Sequence, residues 1–98
     1  MNIEVMGENV EAKLYPKEEM GDGKYSGRAF LLLGKIKVWK DMSEEVQEIN
    51  LLHELIHYAD EKMLIGLKEE NIARLTSFLY ALINDNPELF KFTPKLEE

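Results

Sequence analysis

Hydrophobic and polar residues alternate from position 2 to position 14. Ile3 and Val5 share one parity, and Val10, Ala12 and Leu14 share one in the run that follows. A period of two predicts two short strands, each with one buried face, and Gly7-Glu8-Asn9 supplies a turn between them. The next stretch, PKEEMGDGKYSG from Pro16 to Gly27, contains three glycines and a proline. It reads as a loop, long for so small a domain. Residues 28 to 40, RAFLLLGKIKVWK, predict two more strands around Leu33-Gly34-Lys35. Phe30 and Leu32 face one way in the first, and Ile36 and Val38 repeat the pattern in the second. The alternative is a single bulged strand kinked at Gly34.

The period changes after Lys40. Asp41 or Ser43 can cap a helix, and Glu44 lies three after Asp41, in capping-box register. From there to about Leu64 the chain lacks glycine and proline, and Val46, Ile49, Leu52, Ile56, Ala59 and Met63 follow helical spacing. Leu51 and Leu55 widen the apolar face, which predicts a helix largely buried in the middle of the fold. Gly66 is the expected stop. A second helix is expected from about Lys68 to Asn84, with Ile72, Leu75, Leu79, Leu82 and Ile83 as its stripe. Asn86-Pro87 ends it, and ELFKFTPKLEE follows as a tail with two exposed or docking phenylalanines. The expected fold class is α+β. One domain spans residues 1–98, with strands and loop over 1–40, helices over 41–65 and 68–85, and a tail over 86–98. Three or four twisted strands pack on the first helix.

Composition narrows the function classes. Ninety-eight residues suffice for a single core, and 45% hydrophobic content is ordinary for a globular chain. No apolar run approaches the ~20 residues that span a bilayer. The N-terminal MNIEVMGENVEA lacks both a basic and a continuous apolar region, so no secretory signal is read and a cytoplasmic address is expected. The net charge of −7 argues against nucleic acid as a partner. There is no cysteine, so any metal must be held by histidine and carboxylate.

Both histidines of the chain fall in NLLHELIHYAD, residues 50–60. His53 and His57, at i and i+4, project from one helix face about a turn apart, close enough for both imidazoles to reach one Zn²⁺ at ~2.0–2.1 Å. Glu54 points about 100° around the helix. There it cannot easily ligate beside both rings, but it can take a proton from water at the metal. This is the HExxH arrangement, with two ligands and one general base. Its flanks Leu51, Leu52, Leu55, Ile56, Tyr58 and Ala59 are uncharged, as expected of a helix that backs an internal site. The competing explanation is a pair of packed or surface histidines beside an incidental glutamate.

Zinc in such a site needs a third protein ligand and an open fourth position. With no further histidine, that ligand must be a carboxylate. Asp60 and Glu61 lie too far along the same helix and suit the orientation of a histidine through its other nitrogen. Glu69 and Glu70 open the next helix. The return path past the end of the first helix is about 14 Å, which four extended residues cover at ~3.3–3.6 Å each. Glu69 shares a face with Ile72 and Thr76, and Glu70 with Ala73, Arg74 and Ser77. The plain alternative for both is a charged first turn offsetting the helix dipole.

The stretch from Leu51 to Asn86 resembles the gluzincin metallopeptidases, zinc enzymes with an HExxH helix followed by a glutamate helix. It is most similar to their short members, the minigluzincins and related small phage or archaeal proteins. Those read broadly LLHELIHAxDY and then LxExxVxRLAxxLYxLLxDNPEL; this chain has LLHELIHYADEKM and GLKEENIARLTSFLYALINDNPELF. The resemblance implies a minimal zincin-like fold with zinc as cofactor. By position it implies His53, His57 and Glu69 as ligands and Glu54 as general base. The register of longer gluzincins, a glutamate with a small residue three on, fits Glu70 and Ala73 instead. Many relatives carry an aspartate four after the ligand glutamate to support a histidine. Here that position is Ala73, so either Asp60 substitutes or the site is less rigid. Larger members also present a histidine or tyrosine to the oxyanion, a role open here only to Tyr58, Tyr80, Tyr25 or Arg74, each with a structural role as the plainer reading.

Three functions follow as expectations. The first is a zinc-dependent peptidase that pairs a peptide or protein substrate with an edge strand between Arg28 and Lys40. The tail from Pro87, with Leu89, Phe90, Phe92 and Leu96, would fold over the cleft and keep this zymogen-like hydrolase latent. The second is a non-catalytic zinc-binding interaction or regulatory module. Retention of Glu54 favours the enzyme, since a structural zinc site has no use for it. The third is a domain without metal, in which the histidines merely pack.

Overall fold

The computed structural model describes residues 1–20, 27–30 and 34–90 and shows an α+β fold. Strands β1 (Asn2–Val5), β2 (Glu8–Tyr15), β3 (Gly27–Phe30) and β4 (Lys35–Trp39) precede two helices, α1 (Glu44–Met63) and α2 (Glu69–Asp85). Short 3-10 turns occupy Lys17–Glu19 and Pro87–Phe90. The strands form one mixed sheet in the order β1-β2-β4-β3. β1 and β2 are antiparallel, β2 and β4 parallel, and β3 and β4 antiparallel.

The first hairpin turns one residue earlier than expected. Met6 and Gly7 occupy the turn with φ of 51° and 83°, while Glu8 and Asn9 are already paired with Val5 and Glu4. Two positive φ values are what a two-residue hairpin needs to match the twist of its strands, and glycine fills one of them without strain. Residues 28–40 form two strands rather than one bulged strand. Gly34 immediately precedes the second, with a φ of 59°, and a Cβ there would come within 3.1 Å of the Asn9 carbonyl oxygen. The expected facing of Phe30 and Leu32 lies outside the described residues.

Alternation along β2 and β4 sends Val10, Ala12, Ile36 and Val38 to one face, where they form the core with Tyr58 of α1. Ile3, Val5, Met42, Leu51 and Leu55 pack around them. Leu14, expected on this face, is half exposed because it lies beyond the edge of the cluster. On the other face the turn at Lys17–Glu19 folds back. Lys37 Nζ sits 4.7 Å from the Tyr15 ring and donates to the Glu19 carbonyl at 2.9 Å, and Met20 is buried at the end of the turn.

Ser43 is the cap of α1, its Oγ accepting from the Val46 N–H at 3.3 Å, so Glu44 opens the first turn and the capping box with Asp41 does not form. The helix is less covered than its sequence suggests. Among its residues only Glu54 and Tyr58 are buried, and Val46 and Met63 are 40% and 57% exposed. Among the described residues one sheet and one neighbouring helix flank it, so the row facing the sheet, Leu51-Leu55-Tyr58, carries the burial. The helix ends before Gly66. Leu64 is the left-handed cap (φ 54°, ψ 45°), and Gly66 supplies a second positive φ of 85° in the connection.

α2 returns antiparallel to α1. Its first residue, Glu69, meets His53 and His57, and eleven residues later the Tyr80 hydroxyl donates to Glu48 at 2.9 Å. Ile72 and Thr76, three and seven residues after Glu69, are buried. Leu75, expected in the buried stripe, is 41% exposed and Phe78 is 63% exposed, because no third layer covers that side of α2 among the described residues. The tail beyond Phe90, with Phe92 and Leu96, lies outside the described residues, so the expected docking over a cleft does too.

Candidate metal centre

His53 and His57 lie off the Leu51-Leu55-Tyr58 row that the core claims, on the side of α1 that meets Glu69 of α2. Their ring centroids are 4.9 Å apart with the planes inclined at 63°, the relation expected for i and i+4 on a regular helix. Glu69 crosses from α2 and divides its carboxylate between them. Its Oε1 is 2.7 Å from His53 Nε2, and its Oε2 is 2.7 Å from His57 Nε2. Which atom donates in each of these contacts follows from the tautomer of the imidazole. The side chains of His53 and His57 are 20% and 29% exposed and that of Glu69 is 66% exposed, so the cluster opens to solvent through the glutamate.

His53, His57 and Glu69 each offer one atom to a common point, all within 4.8 Å of one another, and could hold a metal ion. Two ligands of a tetrahedral Zn²⁺ at ~2.0–2.2 Å stand about 3.4 Å apart. The carboxylate oxygens therefore sit roughly 0.7 Å closer to the nitrogens than they would around a shared ion. A small withdrawal of the largely exposed Glu69 side chain creates the space. Two imidazoles and a carboxylate suit a borderline cation such as zinc better than a hard one, which takes oxygen alone. On donor type and convergence the residues fit the group.

Glu70 is exposed and takes no part in the cluster. Its neighbour alone projects toward α1, in the row that continues through Ile72 and Thr76. Glu54 does not join the ligands either. It is 7% exposed and, by helical phase, falls on the flank of α1 between the Leu51-Leu55-Tyr58 row and the imidazoles.

The remaining candidates lie elsewhere. Tyr58 is 1% exposed in the core, and its hydroxyl points to Glu8 of the first hairpin at 3.5 Å. Tyr80 is committed to Glu48, at the far end of the helix pair. Arg74 is exposed, five residues into α2, and Tyr25 lies outside the described residues. None of the described three reaches the imidazoles. Asp60, expected to brace a histidine, does not touch one. Its carboxylate instead accepts from the backbone N–H groups of Gly66 and Leu67, both at 2.8 Å. The residues sequence reasoning missed are structural partners of the site helix. Glu8 pairs with Lys62 and Tyr58, clamping the hairpin to the C-terminal half of α1. The Lys62 ammonium, through its hydrogen bond and charge, holds the Glu8 carboxyl below its ordinary pKa. A lysine nine residues after His53 carries no sequence signal for that pairing, which spans the chain.

No family model, curated protein or solved structure matches the chain.

Proposed function

We propose that the chain is a zinc-dependent hydrolase of peptide bonds of gluzincin type, with His53, His57 and Glu69 as ligands and Glu54 as general base. The observation that carries this reading is the reach of one carboxylate from α2 to both imidazoles of an HExxH helix. Zinc, when bound, supplies a Lewis acid that lowers the pKa of water toward ~7 and polarises a carbonyl oxygen. Glu54 takes the proton of the attacking water and returns it to the leaving amine. Its low exposure keeps that proton from bulk solvent. Among the described residues β3 is an edge strand of the sheet and lies in contact with α1, so an extended peptide can add along it through main-chain hydrogen bonds.

The 66% exposure of the Glu69 side chain favours a second reading, a non-catalytic zinc-binding module whose fourth position is completed by a partner protein. Glu54→Gln separates the two. In the enzyme it retains zinc and loses cleavage of an unstructured peptide library by at least about 100-fold, the usual scale for a general base. Unaltered behaviour of this variant would remove the hydrolase reading.

A further inference from the structure

The position of Glu69 depends on five residues, 64–68, that connect the helices, and the hydrogen bonding of that connection has one centre. The Leu64 N–H, as the cap of α1, bonds to the Asp60 carbonyl, and the Ile65 N–H reaches the same oxygen at 3.1 Å. The next two, those of Gly66 and Leu67, both end on Asp60 Oδ1 at 2.8 Å. Four consecutive backbone donors thus converge on one residue. Two positions further on is Glu69, and three positions before Asp60 is His57. At the start of α2, Lys68 offers no side-chain cap of its own, so the entry of that helix is not fixed locally.

We infer that Asp60 is the positioning residue of the metal centre. It sets the register between the two helices through the backbone of 66 and 67, and so the distance at which Glu69 meets His53 and His57. This rests on the metal-site reading above. The carboxylate acts as a geometric acceptor, in contact with neither imidazole, so what matters is where its oxygen stands and not its charge. Asn keeps an oxygen at that place, Glu moves it by one methylene, and Ala removes it.

The test is the Zn²⁺ dissociation constant of the full chain, measured by competition with a chromophoric chelator. It is read beside the d–d absorption of the Co²⁺ form and urea denaturation without metal. Asp60→Ala and Asp60→Glu should each weaken zinc by about 10–100-fold, the scale for residues that orient ligands, and alter the cobalt spectrum. Asp60→Asn should stay within about threefold of wild type. Should Asp60→Ala fail to fold, Asp60→Glu alone decides. Zinc binding lost in Glu69→Ala but unchanged in Asp60→Glu would overturn the inference while leaving the metal site standing. A loss in Asp60→Asn equal to that in Asp60→Ala would overturn it by assigning the effect to charge. Equal binding by wild type and Glu69→Ala would instead refute the metal-site reading itself.

Discussion

Replacing Tyr58 tests whether the site helix is anchored from behind, as its burial implies. The ring is 1% exposed, the largest of the fully buried side chains, and packs against Val10, Ala12, Ile36 and Val38. An aromatic side chain buries about 150–250 Å², worth about 4–6 kcal/mol at ~25 cal/mol per Å². Large-to-small substitutions of this kind cost about 3–5 kcal/mol. A domain of this length is stable by roughly 5–15 kcal/mol, so Tyr58→Ala removes a large share. Tyr58→Phe keeps the ring and loses only a 3.5 Å bond to the exposed Glu8 carboxylate, so it should cost a small fraction of the alanine loss. Urea denaturation followed by the fluorescence of Trp39, the sole tryptophan, measures both. The phenylalanine variant should also keep any hydrolytic rate, because the hydroxyl points into the hairpin. A Tyr58→Ala loss below about 1 kcal/mol, or a Tyr58→Phe variant that folds normally yet loses catalysis, would refute the assignment of this tyrosine to the core.

Leu64 is 88% exposed at φ 54°, a conformation costing about 1–2 kcal/mol for a residue with a Cβ. Leu64→Gly should therefore stabilise by about 0.5–1 kcal/mol after the entropy that glycine adds to the unfolded chain, seen as a higher urea midpoint. Glu8 has its folded pKa below the ordinary 4.5, so the stability it contributes is complete above that value and fades as pH falls through the folded one. Lys62→Met should flatten this acid-side dependence in denaturation curves collected from pH 6 to about pH 2. Truncation after Asn86 should raise peptide cleavage by the zinc-loaded protein if the tail covers the cleft; an unaltered rate would dismiss latency. Phe78→Ser, on the uncovered side of α2, should leave urea stability within about 0.5 kcal/mol, since a half-exposed ring has little burial to lose.

Much of the fold was legible because its signals are local. Alternation marked the strands, and the gap free of glycine and proline marked α1. The i, i+4 histidines needed only a regular helix to converge. Whether Glu69 or Glu70 turns inward was legible only as far as helical phase relative to Ile72 and Thr76. What decides it is tertiary, namely which side of α2 rests on α1. Extent of burial was poorly legible. Val46, Met63 and Leu75 have the spacing of core residues, but spacing says nothing about how many layers exist to cover them. Gly66 is the expected stop of α1 because glycine is the usual left-handed residue, whereas the helix ends two residues earlier with Leu64 in that conformation and its N–H on the Asp60 carbonyl. The pairing of Glu8 with Lys62 joins residues 54 apart in sequence, beyond any local pattern.

The central claim is that two imidazoles and one carboxylate share a single cation. Zinc K-edge absorption and elemental analysis of the protein purified without a histidine tag test it most directly. The account predicts one equivalent of zinc, with scattering from two imidazoles and oxygen ligands, lost on Glu69→Ala and retained on Glu70→Ala. Absence of stoichiometric zinc after incubation with the metal, or identical spectra for the two glutamate variants, would contradict it.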